Sequence, residues 1–282
     1  MAAVVNPKAR IIATTLILLV LTAVAVIWVF PYVMLLLTSV KSQGFLLKHN
    51  IFALPDRMQL SNFKDAFTSA GLGTFVKNSF VIAIVKVPTG ILLAALAAYS
   101  ISKHGFRGRR AVYFYFVIGL AIPIQVTLLP LNILLKNLHM LNSLMALFFP
   151  YIAFGLPFQI MVMRGFFLTV PNELIDAARI DGSAEAQIFF GIMIPLAVSA
   201  LAALVILDFL ATWNEFLMAL IFLQSPKNET LPLGLMYFQG QYSTRWSLLC
   251  AGVVLGILPV VIVYFALQRY FTAGIYAGAI KQ

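Results

Sequence analysis

The sequence predicts an all-α protein that crosses a membrane several times, and two observations carry this prediction. Hydrophobic residues make up 62% of the chain and charged residues 10%, with a mean hydropathy of +0.99, outside the range of soluble globular domains. The long apolar runs also lack the two-residue alternation of a membrane β-barrel. Because backbone groups in lipid must hydrogen-bond to one another, we expect these runs to be helices.

Six of the runs reach the roughly 20 residues that a helix needs to cross the hydrocarbon core. The predicted spans are residues 11–37, 74–101, 111–135, 141–163, 196–223 and 247–271. The first run is longer than the roughly 7 to 15 apolar residues of a secretion signal, so we interpret it as a retained span. No linker, low-complexity tract or repeat is apparent. Residues 1–282 are therefore predicted to form a single transmembrane domain.

Basic residues predict which ends of the spans face the cytoplasm. With a cytoplasmic N-terminus, ten lysines and arginines lie inside and eight outside, while Lys86 lies within a span. The short loop at 103–110 alone holds four of the inside residues. We therefore expect both termini, and the polar segment at 164–195, to be cytoplasmic. The net charge of +10 then reflects membrane orientation, and nucleic-acid binding is not predicted.

Proline is frequent within the predicted spans, which hold seven of the thirteen prolines. Pro123 and Pro130 are seven residues apart, as are Pro150 and Pro157, which predicts that each pair lies on one helix face. Proline removes a backbone hydrogen bond and bends a helix. The pattern fits either ordinary irregularity of membrane helices or a set of bent helices that line a path.

Charged residues in or near the spans are Lys86, Asp208 and Glu215. Because an ionised group near the membrane centre costs roughly 2.5 to 3.5 kcal/mol on insertion scales, each should face a partner or an aqueous cavity. Glu215 follows Trp213 and Asn214 directly. Two interpretations stay open. This cluster hydrogen-bonds a polar solute on which Trp213 stacks, or Asp208 pairs with Lys86 in a network between helices.

Motifs for catalysis or cofactor binding are missing from the sequence. It contains neither a phosphate-binding GxxxxGK[ST] loop nor an HExxH motif, and its three histidines are scattered. Cys250 is the only cysteine, so no intrachain disulfide can form. We predict that the chain is not an enzyme and that it binds no metal or other cofactor itself.

The polar segment at 164–195 holds four of the nine acidic residues. Pro171 suits the start of a helix and Gly182 its end, which predicts one short helix over 171–181. Ser183 is expected to cap a second helix that runs to about residue 190. Helices this short are unstable in isolation, so both need a surface to pack on.

The same segment resembles the cytoplasmic signature of the permease subunits of bacterial binding-protein-dependent ABC importers. That signature is Glu-Ala-Ala, three residues, Gly, nine residues, then Ile-x-Leu-Pro. Here it reads Asp176-Ala177-Ala178, Gly182 and Ile192-Met193-Ile194-Pro195, with Asp in place of Glu and Ile in place of Leu. The fuller stretch at 171–182, together with the Trp-Asn-Glu cluster and the tail at 274–281, looks like the branch that imports oligosaccharides, similar to the second membrane subunit of the maltose transporter.

The resemblance implies the importer type I permease fold, in the bacterial plasma (inner) membrane. It implies that the loop at 164–195 couples to a separate ATPase. The residues that match the coupling element are Glu173, Asp176, Ala177, Ala178 and Gly182. The implied partners are a sister permease in a heterodimer, two ATPase subunits that use ATP and Mg²⁺, and an external solute-binding protein.

Further segments gain expected roles from the same resemblance. The outer loops at 41–73 and 224–246 are candidates for meeting the binding protein, unless they merely cap the bundle. The tail at 274–281, with two glycines and little helix propensity, is expected to reach the ATPase or else to be a disordered terminus. The loop at 164–195 could also do no more than cover the helix ends.

Two other functions compete with the importer subunit. A stand-alone ion-coupled transporter would use the intramembrane charges as a proton relay, although no inverted repeat is visible. A membrane scaffold would carry no solute at all. If a solute path exists, its candidate residues are Asp208, Trp213, Asn214 and Glu215. The sugar itself is not predictable from this sequence.

Overall fold

The computed structural model describes residues 7–68, 71–240 and 243–279. Within these ranges the regular structure is helical, apart from one isolated bridge between Gln239 and Thr244. The α-helices are α1 (Pro7–Ser39), α2 (Gln43–Lys48), α3 (Ser61–Phe67), α4 (Leu72–Lys103), α5 (Arg109–Ile118), α6 (Ile124–Asn137), α7 (Met145–Thr169), α8 (Asn172–Ile180), α9 (Glu185–Ile188), α10 (Ile194–Leu196), α11 (Val198–Trp213), α12 (Leu217–Phe222), α13 (Leu231–Gly234) and α14 (Trp246–Ala279). The all-α fold is confirmed.

Four helices in the described part are long and apolar enough to cross a membrane without a break: α1, α4, α7 and α14. Two further spans are bent. Arg109–Ala121 meets Ile124–Asn137 at 100°, and Glu185–Leu196 meets Val198–Trp213 at 77°. Counting each bent pair as one span gives six, the number that the sequence predicts, although the second pair covers 185–213 and the predicted fifth span covers 196–223.

The predicted continuous helix over 111–135 is wrong, because the chain breaks at Pro123. Proline has no N–H and disfavours helical backbone in the residue before it, and Ile122 is accordingly extended, with φ −82° and ψ 111°. Pro123 precedes α6, whereas Pro130 lies inside it. The two therefore do not share one helix face as predicted.

The predicted span over 196–223 is also interrupted. Helix α11 ends at Trp213, and α12 begins only at Leu217. The bend before α11 lies at Ala197, two residues after Pro195. This break leaves polar residues between α11 and α12 free to contact neighbouring helices.

The described chain separates into two compact units, of which the first comprises residues 1–70 and 238–255. In this unit the side chains at 11–33 of α1 are exposed, as expected of a helix surrounded by lipid or by another subunit. The segment after α1 is tightly hydrogen-bonded. The amide of Asn62 donates to the carbonyls of Ser39 and Lys41, each at 2.8 Å, and the buried Lys41 Nζ donates to Ile51 O at 2.6 Å.

The second unit comprises residues 71–237 and 256–282. Its centre is formed by α4, which packs against α7 and α11. Three small residues of α4, Ala94, Ala95 and Ala98, are fully buried, which suits close packing between membrane helices. At one end, a hydrophobic cluster that includes Leu147 and Phe222 joins α7 and α12.

Candidate functional site: a helical loop and a polar membrane cavity

The loop between α7 and α11 begins with the short helix α8, close to its predicted bounds. Its C-terminus forms a Schellman motif, in which Ser183 N–H donates to Ala178 O at 2.9 Å and Gly182 N–H donates to Arg179 O at 3.1 Å. Gly182 has φ +81°, a backbone conformation that glycine adopts without strain. The turn therefore explains why this position is glycine.

Helix α8 has a buried face and an exposed face. Ile175 and Ala178 are buried within the chain, at 2% and 8% exposure. Glu173, Asp176 and Ala177 are exposed. Of the residues predicted to contact an ATPase, Ala178 thus packs inward, while the others remain on or beside the exposed face.

Two apolar residues of the exposed face were not anticipated as contacts. Leu174 is 48% exposed and Ile180 is 86% exposed. An apolar side chain that is exposed on a polar loop commonly marks an interface. Ile180 lies four residues after Asp176, on the same side of the helix, and that spacing was the signal in the sequence.

Glu185 fastens the loop to the membrane helices. Its carboxylate accepts hydrogen bonds from Arg179 Nε at 2.8 Å and from Tyr99 OH at 2.7 Å, and lies 3.2 Å from His104 Nε2. The hydrogen bond from Arg179, followed by that from Tyr99, lowers the pKa of Glu185 below its ordinary value. In return, Glu185 raises the pKa of Arg179. The end of α4 is thereby connected to the start of α9.

Two further contacts hold the start of the loop. Lys103 Nζ, at the end of α4, donates to Val170 O at 2.6 Å and to Asn172 Oδ1 at 2.9 Å. Ser183 does not cap the second helix as predicted. The cap residue is Ala184, whose N–H donates to Gln187 Oε1 at 2.8 Å.

A π-helical turn, Phe189–Met193, follows α9. Such turns are rare and occur frequently at functional sites. Phe189 and Met193 are buried, and the Phe189 ring lies 5.4 Å from that of Tyr99. The turn therefore connects the loop to the bend before α11 through packed side chains.

A polar cluster lies inside the bundle of the second unit. Lys86 of α4 forms a direct ion pair with Asp208 of α11, and their side chains are 3% and 8% exposed. Gln159 of α7 is 1% exposed, and neither its amide nitrogen nor its oxygen has a hydrogen-bond partner in the described chain. Asp208 Oδ2 and Thr212 Oγ1 are likewise buried without a partner in that part of the chain. The predicted pairing of Lys86 with Asp208 is present.

Next to this cluster is a cavity of about 210 Å³. Its polar lining comes from Lys86, Tyr151, Asp208, Thr212 and Glu215. Hydroxyl, carboxylate and ammonium groups at the wall of a cavity are the groups that hydrogen-bond a polyhydroxylated solute. Thr212 belongs to the polar cluster that the sequence predicted around Glu215, whereas Tyr151 and Gln159 were not predicted, although polar residues within apolar runs were the available signal.

Glu215 stabilises the start of α12 and contacts α7. Tyr151 OH donates to Glu215 Oε2, and the backbone N–H groups of Met218 and Ala219 donate to the same carboxylate at 2.8 and 3.2 Å. Asn214 is exposed at the end of α11. The carboxylate predicted to meet a solute is therefore also a helix cap.

Trp213 does not face the cavity. It is 2% exposed, its indole Nε1–H donates to Gly256 O at 3.0 Å, and its ring stacks on Phe209 with centroids 5.4 Å apart. The solute stacking predicted for Trp213 is therefore not supported. Its hydrogen bond instead joins α11 to α14.

The loop after α12 is anchored by two asparagine side chains, of which Asn78 is buried and Asn142 is half-buried. Asn142 Oδ1 accepts from Gln224 N–H at 3.0 Å and from Ser225 N–H at 2.9 Å, while Asn78 Nδ2 donates to Glu229 O at 2.8 Å. This part of the predicted outer loop has a defined backbone.

At the C-terminal end of the chain, α14 continues to Ala279, so the glycines of the tail do not end the helix before that point. Residues 280–282 lie outside the described residues.

Comparison with known proteins identifies relatives over nearly the whole length. The model of the family described as "Binding-protein-dependent transport system inner membrane component" matches residues 90–275. The arabinooligosaccharides transport system permease protein AraQ of Halalkalibacterium halodurans is 38% identical over 92% of this chain and 93% of its own length. The diacetylchitobiose uptake system permease protein NgcG of Streptomyces coelicolor is 31% identical over 91% of this chain and 85% of its own.

One solved structure shows the same fold. It belongs to a bacterial ABC transporter involved in the import of the acidic polysaccharide alginate, with a TM-score of 0.82 and 23% identity. The match covers 95% of this chain and 99% of that chain. The similarity therefore extends across the membrane helices and the loop between α7 and α11.

Proposed function

The chain belongs to the family of binding-protein-dependent transport system inner membrane components, and from this premise we propose that it is the subunit through which an oligosaccharide enters the cell. It is a multi-pass permease subunit of an ABC importer and not the ATPase. The relatives named for arabinooligosaccharides and diacetylchitobiose support a carbohydrate as its solute. The stand-alone ion-coupled transporter receives no support from these relatives.

The observation that carries the coupling role is the two-sided construction of α8. Its two ends are held to α4, the first by Lys103 at Asn172 and the second through Glu185, which accepts from both Arg179 and Tyr99. Its outer face presents Glu173, Asp176 and Ala177 beside exposed apolar side chains. A short helix held rigidly on one side and exposed on the other can transmit a displacement of a docked partner to the membrane helices.

We infer that the docked partner is one of two ATPase subunits, which bind ATP and Mg²⁺. A sister permease would complete a heterodimer, and an external solute-binding protein would deliver the sugar to the face opposite α8. In this arrangement both termini are cytoplasmic, in agreement with the basic loop at 103–110. The loop at 224–246, whose first residues are anchored by Asn142 and Asn78, is our candidate contact for the binding protein.

We further propose that the cavity beside Lys86 and Asp208 lies on the solute path. Because the two side chains neutralise each other, the cavity offers hydrogen-bonding groups at a smaller desolvation cost than an isolated charge. The bend at Pro123 and the interruption after Trp213 frame this region with breaks at which helices can rearrange.

The experiment reconstitutes the chain with its partner subunits and binding protein in proteoliposomes and measures sugar uptake with and without ATP. Ala177→Asp places bulk and charge on the exposed face of α8. We expect ATP-driven uptake to fall at least tenfold while assembly of the membrane subunits persists. Ala186→Asp, an exposed alanine of α9, is the matched control and should retain most activity.

Three outcomes bear on different parts of the proposal. Normal ATP-driven uptake by the Ala177→Asp variant would contradict docking through α8. Uptake driven by an ion gradient without the ATPase would contradict the importer assignment altogether. ATP-driven uptake that accepts only non-carbohydrate solutes would leave the permease assignment intact and refute the sugar.

A further inference from the structure

Three arginine side chains line a cavity of about 260 Å³ beside the end of α4. Arg109 and Arg110 come from the first turn of α5, and Arg164 comes from the last part of α7. The remaining lining is Ile101, Tyr113 and Phe114. Because Lys103 is hydrogen-bonded to the residues just before and at the start of α8, this cavity lies at the end of the bundle that carries the coupling loop.

The charge of this cavity is unbalanced. In the described part of the chain, none of the three guanidinium groups forms an ion pair with a carboxylate. Arg164 instead lies over the ring of Tyr113, with its Cζ 4.1 Å from the centroid, and Arg110 lies 5.6 Å from the centroid of Phe114. Arg109 and Arg110 are exposed and Arg164 is half-buried, so guanidinium N–H groups that the rings do not cover remain available to an anionic acceptor.

The Arg164 Nε atom makes this need specific. It is buried and has no hydrogen-bond partner within the described chain. A buried donor without an acceptor is costly, and more so when it is charged, so it points to an acceptor outside the chain. The first turn of the ten-residue helix α5 contains no acidic residue, and its helix dipole adds further attraction for an anion.

The surface beyond the arginines is apolar. Phe114, Tyr115 and Ile118 of α5 are 48%, 77% and 63% exposed. An anion-binding pocket that continues into an exposed apolar helix face at a membrane boundary matches a ligand with an anionic head and hydrocarbon tails. A soluble phosphate or a protein carboxylate would use the arginines but not this apolar face.

We propose that Arg109, Arg110 and Arg164 bind the phosphodiester headgroup of an anionic phospholipid, in the leaflet on the side of the coupling loop. The planar guanidinium groups match phosphate oxygens in a bidentate manner. The acyl chains lie along the exposed side chains of α5. Basic pockets between helix ends are a recognised way for membrane proteins to select anionic lipid. The bound lipid ties α5 to α7 beside the loop that meets the ATPase.

The test uses the full chain purified with its partner subunits in a mild detergent, and counts bound lipids by native mass spectrometry. Dioleoylphosphatidylglycerol is titrated against dioleoylphosphatidylcholine, which has the same acyl chains. We expect the wild-type complex to retain the phosphatidylglycerol selectively. Arg110→Gln combined with Arg164→Gln should weaken its retention about 25-fold, since each arginine near an anionic lipid contributes roughly a factor of five.

The matched control is Arg57→Gln combined with Arg107→Gln, which removes the same charge from two exposed arginines outside the cavity. Control retention within about twofold of wild type supports the proposal. Equal retention of the two lipids by the wild-type complex would overturn it without reliance on any variant. Displacement of the lipid by millimolar inorganic phosphate would show that the arginines bind a soluble anion, and would overturn the proposal. A cavity variant that loses the ATPase but retains phosphatidylglycerol as the wild type does would overturn it as well.

Discussion

Replacing Lys86 with methionine tests the ion pair at the centre of the helix bundle. The substitution removes the ammonium group that pairs with Asp208 but keeps a long, flexible side chain of similar reach. The aspartate side chain is 8% exposed, and its second oxygen already lacks a partner in the described chain. The remaining carboxylate would therefore be buried without a counter-charge.

The expected magnitude follows from this burial. Removing one partner of a buried ion pair costs about 3–5 kcal/mol, and an ionised group within a membrane span costs roughly 2.5 to 3.5 kcal/mol. At about 2–4 °C per kcal/mol, the unfolding midpoint of Lys86→Met should fall by about 6–20 °C. Combining Lys86→Met with Asp208→Leu should recover most of the loss, because no unpaired charge is left.

The assay is thermal unfolding of the purified membrane subunits in one detergent, for wild type, both single variants and the double variant. Lys77→Met removes an exposed lysine from the same helix and is the control, with an expected change within about 0.5 kcal/mol. The reasoning is refuted if Lys86→Met has the same unfolding midpoint as the control. It is also refuted if the midpoint of the double variant falls by as much as the midpoints of the two single variants together. Sugar uptake by a stable double variant then separates the structural role of the pair from a role in the solute path.

Three other predictions test the loop, the packing and the solute path. Because hydrogen bonds from Arg179 and Tyr99 lower the pKa of Glu185, its stabilising contribution is present above the ordinary glutamate pKa and is lost as pH falls through the lowered pKa. Hydrogen exchange of the amides at 172–188, corrected for intrinsic rates, should therefore show lost protection only in acid below the ordinary glutamate range; loss of protection at neutral pH would contradict this role of Glu185. Gly234→Ala should destabilise the fold by about 1–3 kcal/mol, since the new Cβ would lie 2.0 Å from Phe75 Cδ2. The control Gly165→Ala, whose new Cβ would have no atom within 4 Å, should be neutral or stabilising. A thermal unfolding midpoint of Gly234→Ala equal to that of the wild type would contradict this packing. Asn214→Ala should lower ATP-driven sugar uptake severalfold with unchanged stability, and undiminished uptake would argue against a solute path at the end of α11.

Long apolar helices were predictable because a membrane-crossing helix depends on a local property, the length of an apolar run. The bends were not. Pro123 and Pro130 look alike in the sequence, yet the chain turns by 100° at the first and remains helical at the second. Whether a proline ends a helix or is accommodated within it depends on which neighbours satisfy the freed backbone groups, and that is a tertiary property.

The coupling loop shows the same division. Pro171 and Gly182 bound α8 through local backbone chemistry, so the helix was predictable to within a residue or two. The burial of Ala178 beside exposed Ala177 was not, because it depends on what packs beneath the helix. The role of Glu185 as the acceptor for Tyr99 required two helix ends, 86 residues apart, to meet.

The amino-acid sequence by itself determined that this is an all-α membrane protein, where its helices run and which short helix carries the importer signature, because each depends on composition or spacing along the chain. Tertiary structure decided which polar side chains meet. Lys86 and Asp208 pair across 122 residues, Trp213 packs away from the cavity that Glu215 lines, and three arginines from two helices share one cavity. A polar side chain without a partner is costly inside a membrane protein, so each must find one among its neighbours. The helix packing, and not the order of residues, therefore assigns the roles of these side chains.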